Sequence, residues 1–270
     1  MHKLASLNYQ IKLASEMYLP AVSSAGFYGR SVFTTIAVYK TEIFQWEKHW
    51  RRLTENAGRI GIDLSDFSER EVEKSVKDLI AANSFQSGRI RLTVFDETTK
   101  GLWSLETKNN VALLITSADF RNFSGTIRLT ISPFSANSKS PLCNLKSGNY
   151  LENILALEES QRRGFDEAVR LNEKSEVVSA VMANIFWIKN DQIYTPSLDT
   201  GALQGTTREF IRENFQVTEK TIDLAELKSA AEIFITSAGI GAAIVKDFEG
   251  RLFGDFNVSN SIQKIFKNFI

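Results

Sequence analysis

With one cysteine, Cys143, in 270 residues, the chain has no internal disulfide available to it. Its two histidines, His2 and His49, are too few beside that cysteine for a typical zinc cluster, which argues against a catalytic metal. Charge of one sign is also missing. The 32 basic residues are matched by 32 acidic ones, so neither the basic footprint of a nucleic-acid binder nor an acidic tail is present. No apolar run approaches the roughly 20 residues of a membrane-spanning helix. The opening Met1-His2-Lys3-Leu4-Ala5 leads into polar and alternating residues rather than an apolar signal core, so no secretory signal is expected. Together these absences point to a cytoplasmic chain with no membrane or nucleic-acid partner, working on small molecules and meeting other protein chains. Disorder is excluded too, because 43% hydrophobic residues suffice for one large or two modest domains with real cores.

The patterning is mixed. Apolar and β-branched residues from Ser31 to Phe44, interrupted at Tyr39-Lys40-Thr41-Glu42, predict a β-hairpin. Trp46, His49, Trp50, Leu53, Ala57 and Ile60 recur at helical spacing, and Ser68 with Glu71 forms a capping box opening a second helix with Val72, Val76, Leu79 and Ile80 inside. Strands are expected at Ile90–Phe95, Val111–Thr116 and Ile127–Ser132, with a helix over Tyr150–Arg163. Short strands follow at Ala168–Leu171, Val177–Val181, Ile185–Ile188 and Ile193–Thr195, and helices at Thr206–Asn214 and Ser259–Lys267. The polar segment at 119–125 is the best candidate for a linker, dividing an N-terminal domain (1–118) from a larger C-terminal one (126–270). This is an α+β chain, lacking the strand–helix alternation of a doubly wound sheet.

Three places carry chemical potential. Gly205-Thr206-Thr207-Arg208 opens a predicted helix, where backbone N–H groups and the helix dipole suit a phosphate, although glycine before threonine is more often only a cap. Lys146, between a polar loop and a helix, is either a solvated surface lysine or one whose surroundings make it a nucleophile. His49 and Arg52 share a helix face, and Arg89 and Arg91 share a strand face, where two guanidinium groups suit a carboxylate or simply face water.

Taken in order, these segments resemble the class IV aminotransferases, the family of branched-chain and D-amino-acid aminotransferases and aminodeoxychorismate lyases. The pieces are Tyr28-Gly29-Arg30-Ser31-Val32-Phe33-Thr34-Thr35, His49-x-x-Arg52-Leu53, Lys146-x-x-Asn149-Tyr150-Leu151, Ala183-Asn184-Ile185-Phe186-Trp187, Tyr194-Thr195-Pro196 and Gly205-Thr206-Thr207-Arg208, spread over nearly the whole chain. The resemblance implies the two-domain PLP fold type IV: a small N-terminal α/β domain, a larger C-terminal domain with a barrel-like sheet, and pyridoxal 5′-phosphate (PLP) in the cleft between them, in a homodimer. It implies that Lys146 carries the cofactor and then moves the proton at the substrate carbon. Arg52 and the backbone at Gly205, Thr206 and Thr207 would hold the phosphate. Tyr150 and Asn184 would lie near the cofactor, and Phe234-Ile235-Thr236-Ser237-Ala238 would form a second phosphate-side loop in which Ala238 lacks the usual hydroxyl. Tyr28, Thr35, Arg89 and Arg91 would face the substrate.

One position departs from the pattern. The family typically has a glutamate five residues before the Asn-Ile-Phe asparagine, where it keeps the cofactor's ring nitrogen protonated; here that residue is Ser179. Serine supplies a hydrogen bond but no charge, so the ring should be a weaker electron sink. Glu176, at an odd offset on a strand, should point to the other face. A weak sink hurts transamination more than a lyase reaction whose product becomes aromatic. Phe33-Thr34-Thr35, where many transaminases show Phe-Glu-Thr, also looks most like the lyases. The expected activity is therefore 4-amino-4-deoxychorismate lyase, with branched-chain or D-amino-acid transamination as the alternative and a non-catalytic PLP-binding protein after that. A nucleotide-phosphate binder ranks last, for want of the lysine of a Walker-type loop.

Overall fold

A computed structural model describes residues 1–99, 110–120 and 126–269. The chain divides into two compact units, Met1–Phe120 with Leu145–Asn149, and Arg121–Asn144 with Tyr150–Ile270. The linker expected at 119–125 falls largely on 121–125, outside the described residues. The short segment carrying Lys146 belongs to the first unit, although it lies well past that linker in sequence.

The first unit contains β1 (Leu4–Leu7), β2 (Gln10–Leu13), α1 (Ser24–Tyr28), β3 (Ser31–Tyr39), β4 (Glu42–Ile43), α2 (Trp46–Arg59), α3 (Glu69–Ala82), β5 (Gly88–Asp96) and β6 (Val111–Ala118). Its six described strands form one sheet in the order β2-β1-β6-β5-β3-β4. The pause at residues 39–42 is a tight turn with Lys40 and Thr41 at φ 50° and 69°, the left-handed pair that suits the twist of a two-residue hairpin. In α2 the buried residues Trp46, His49, Leu53, Asn56 and Ala57 fall on one face, as the helical spacing predicts. Ser68 caps α3 by accepting from the Glu71 N–H, while its hydroxyl donates to the Glu71 carboxylate at 2.7 Å. The apolar faces of α2 and α3 pack with Val32, Ile36, Val38, Ile90, Leu92, Val94, Leu113 and Ile115 into one core.

The second unit contains β7 (Thr126–Ile131), α4 (Leu151–Arg162), β8 (Glu167–Leu171), β9 (Val177–Ala180), β10 (Asn184–Lys189), β11 (Gln192–Pro196), α5 (Thr206–Asn214), β12 (Val217–Lys220), α6 (Leu224–Lys228), β13 (Glu232–Ser237), β14 (Gly241–Phe248), β15 (Arg251–Leu252) and α7 (Asn257–Lys267). Its strands form a curled half-barrel in the order β12-β11-β10-β13-β14-β7-β8-β9, with β15 on β14. The core has Ile185, Trp187, Ile233, Ile235 and Val245 at its centre. Because side chains alternate across a strand, Asn184 and Phe186 of β10 and Phe234 and Thr236 of β13 occupy the opposite face; Phe186 and Phe234 stack there at 4.7 Å. The architecture is α+β, as the patterning predicts. The segment Phe234–Ala238, expected as a loop, is instead mostly strand: β13 runs to Ser237, because Phe234, Ile235 and Thr236 pair with both β10 and β14.

Candidate active site

Lys146 is fixed by its own backbone. The Phe33 N–H donates to its carbonyl at 2.9 Å, the Gly148 N–H donates to Ser31 O at 2.7 Å, and Val32 and Ser147 form an antiparallel bridge, so the segment docks on the start of β3. Gly148 makes this possible, since a Cβ there would lie 1.8 Å from Ser31 Oγ. Gly29, at φ 64°, ends α1 and accepts from Asn149 Nδ2 at 3.1 Å.

The half-buried Lys146 places its Nζ 4.4 Å from the centre of the Phe33 ring, and the Arg91 guanidinium lies 3.7 Å from the same ring centre. Burial, and then the positive charges of Arg52 and Arg91, bring its pKa from 10.5 down to about 7. Near neutral pH a large share of this lysine is therefore a neutral amine, able to attack a carbonyl or take up a proton. Arg91 donates through Nε to Thr93 Oγ1 at 3.2 Å. The register pairs Thr35 with Arg91 and Ala37 with Arg89, so both arginines share a face with Thr35 and Phe33.

A second group lies on the other face of β3. The Arg52 Nη2 is 2.8 Å from Thr34 Oγ1, which is 2.7 Å from His49 Nδ1. Arginine only donates, so the hydroxyl accepts from Arg52, and its own hydrogen is free to be donated to His49 Nδ1. In that arrangement Nδ1 is the bare nitrogen and His49 is neutral with its hydrogen on Nε2. Burial and the charges of Arg52 and Lys146 agree, holding the His49 pKa well below 6.5. Arg52 is thus anchored through a buried threonine hydroxyl.

In the second unit, α5 begins at Gly205 with no side-chain cap among the described residues, and its first residues Thr206 and Thr207 are buried. A Cβ at Gly205 would sit 1.9 Å from Asn184 Oδ1, while Asn184 Nδ2 holds the Leu203 carbonyl at 2.8 Å, so this asparagine seats the helix end. Directly across from Asn184, Thr236 has a buried hydroxyl with no hydrogen-bond partner among the described residues. A helix N-terminus beside an unsatisfied buried hydroxyl fits an anionic oxygen ligand such as the PLP phosphate. Arg208 is buried and tied to Glu219 at 3.1 Å and to the Pro196 carbonyl at 3.0 Å, so it holds α5 to β11 and β12. Ser179 is half-buried in β9, opposite Arg170. Glu176 is engaged elsewhere: Asn172 Nδ2 donates to it at 2.7 Å. Tyr150 caps α4, and Ser237 and Ala238 are half-buried where β13 ends.

Tyr28 is 46% exposed at the end of α1. Arg30 meets buried Asp96 at 3.2 Å and the carbonyls of Ile60 and Gly61 at 3.0 and 3.2 Å, a structural tie. Sequence reasoning misses Thr34 as a tether and Arg170, and it names Thr236 only as part of the segment Phe234–Ala238. Of these, only Thr34 leaves a signal in the sequence, through the departure from Phe-Glu-Thr.

In the first unit a lysine with a depressed pKa among arginines suits a carbonyl compound, and in the second unit the start of α5 suits an anionic oxygen. The chain belongs to the class IV aminotransferases, PLP-dependent aminotransferases and lyases: the family model "Amino-transferase class IV" matches residues 31–248. A D-alanine aminotransferase from Bacillus licheniformis is 29% identical over 84% of this chain and 82% of its own length. An aminodeoxychorismate lyase from Bacillus subtilis is 28% identical over 78% of this chain and 75% of its own. A branched-chain-amino-acid aminotransferase-like protein 2 from Arabidopsis thaliana is 26% identical over 85% of this chain, which spans only 43% of that relative. Branched-chain aminotransferase structures from Thermoproteus uzoniensis and Escherichia coli share the fold with TM-scores of 0.91 each, at 24% and 23% identity, covering 99% of this chain and 94% of each of theirs.

Proposed function

We propose that the protein is a PLP-dependent 4-amino-4-deoxychorismate lyase that releases pyruvate and 4-aminobenzoate, working as a cytoplasmic homodimer. The observation that carries this reading is Ser179, a neutral residue where the family has a carboxylate, together with Glu176 bound to Asn172.

When bound, PLP supplies an electron-withdrawing ring that eases removal of a proton from the carbon bearing the substrate amine. Lys146 would hold the cofactor aldehyde, and its Nζ, with a pKa of about 7, would take and return the proton at the carbon bearing the substrate amine. Breaking the bond to the enolpyruvyl oxygen then gives an aromatic ring, and the departing enol regains a proton to become pyruvate. The two products sum to the substrate, so no second substrate, water or oxidant is needed. Arg52, set by Thr34, and the α5 start at Gly205, Thr206 and Thr207 would hold the phosphate, Asn184, Ser237 and Ala238 would support that end, and Tyr150 and Ser179 would serve the ring. Arg91 and Arg89 orient the substrate carboxylates beside Thr35 and Tyr28.

The test is incubation of PLP-loaded protein with 4-amino-4-deoxychorismate and no 2-oxo acid, following pyruvate and 4-aminobenzoate together, with Lys146→Ala as control. Equal release of both products, lost in the variant, is expected. No release from a protein that holds PLP would move the assignment to transamination of branched-chain or D-amino acids.

A further inference from the structure

The surroundings of Ser179 extend the PLP assignment, on which any role of theirs in the reaction depends. Arg170 of β8 and Ser179 of β9 are direct cross-strand partners, aligned just before an irregularity in which Leu171 pairs with Val177 and Val178 is skipped. Opposed residues of an antiparallel pair share a face with Cβ atoms about 4.5–5.5 Å apart. The place where the family has a carboxylate therefore has a hydroxyl, and its nearest lateral neighbour is a cation.

Arg170 is only 6% exposed. Its Nε donates to Phe134 O at 3.4 Å and its Nη2 donates to Ser135 O at 2.9 Å and to the Glu152 carboxylate. Those contacts use one edge of the guanidinium and hold it away from free rotation. The counter-charge is on the wet side: Glu152, in the first turn of α4, is 61% exposed, so water weakens its grip on the field of Arg170. The carboxylates at the start of β8 and just before β9 are committed, and on α4 Glu159 pairs with Arg163 at 2.7 Å. Glu167 accepts from the N–H groups of Ala168, Val181 and Met182, and Glu176 accepts from Asn172. A buried cation with a solvated partner thus dominates the charge beside position 179.

We propose that Arg170 sets the charge at the ring-nitrogen end of the cofactor and keeps that nitrogen unprotonated, with the Ser179 hydroxyl donating to its lone pair. A like charge nearby disfavours a pyridinium, and a serine O–H satisfies the neutral nitrogen as an acceptor. A neutral ring holds negative charge poorly. It suits a reaction whose leaving group departs as soon as the proton is removed, and it suits poorly one that must return the proton to the cofactor.

The test uses full-length protein loaded with PLP labelled with 15N in the ring, read by NMR across pH 6 to 9. The expected signal lies in the unprotonated pyridine range throughout. Ser179→Glu combined with Arg170→Leu should move it to the pyridinium range at neutral pH, and Arg170→Leu alone should raise the pH at which the nitrogen titrates by about 1–3 units. Arg170→Lys keeps the charge and should keep the wild-type signal, separating charge from any structural loss. A pyridinium signal in the wild type at pH 7 overturns the inference while leaving the PLP assignment intact. A protein that retains no labelled cofactor overturns both.

Discussion

Thr34→Val tests whether the threonine hydroxyl is the joint between Arg52 and His49. Valine has the same number of heavy atoms, so no cavity opens, and the perturbation is confined to two hydrogen bonds of 2.7 and 2.8 Å. His49 is 1% exposed, and its bare Nδ1 would be left without its donor, at about 1–3 kcal/mol. Arg52 is half-buried and regains part of its loss from water, so its share falls at the low end of that range. The sum is about 2–4 kcal/mol. In equilibrium urea unfolding of the apoprotein, with a slope of about 2 kcal/mol per molar, the midpoint should fall by roughly 1–2 M at unchanged slope. Thr34→Ser keeps the hydroxyl and should recover most of the loss. PLP affinity should follow the same order, because a freed Arg52 no longer presents a fixed guanidinium. If Thr34→Val unfolds at the wild-type midpoint, or if serine does no better than valine, the hydroxyl is not the joint and the assigned His49 tautomer is wrong.

The remaining expectations concern charge and close packing. Lys146→Met should stabilise the apoprotein at pH 7: the folded lysine has its pKa lowered to about 7, so the unfolded chain binds more protons between pH 7 and 10.5, and the wild type should recover the difference as pH rises through that window in thermal melts. His49, also lowered, contributes stability that is present above pH 6.5 and lost on acidification below it; urea titrations between pH 7 and 5 should show the loss, and His49→Gln should flatten it. Gly205→Ala drives a methyl to 1.9 Å from Asn184 Oδ1, which should cost about 1–3 kcal/mol by displacing α5, with PLP affinity falling alongside; Gly205→Ala with Asn184→Ser should restore part of both.

The elements that sequence makes legible are those whose cause is local. The period of α2, the capping box at Ser68, the start of α5 at Thr206 and the pause at Lys40-Thr41 each depend on residues within a turn or two, and each element forms where its signal lies. The segment Phe234–Ala238 escapes such a reading because its strand character comes from partners on both sides, β10 and β14, rather than from its own few residues. The N-terminal hairpin of β1 and β2 has only four residues in each strand, and its pairing with β6 is set more than 100 residues away.

Reactivity is still less local than fold. Lys146 looks like any surface lysine in its own sequence window, and what lowers its pKa is burial first and then the charges of Arg52 and Arg91, residues on two other elements. The same holds for position 179. Sequence shows that a carboxylate is missing, and only the register shows that the residue facing the gap is a buried arginine, with its counter-ion in solvent. A missing acid by itself predicts a weaker cofactor ring. A missing acid opposite a buried cation predicts a ring of opposite protonation state, which is a different chemical design and not a damaged version of the usual one.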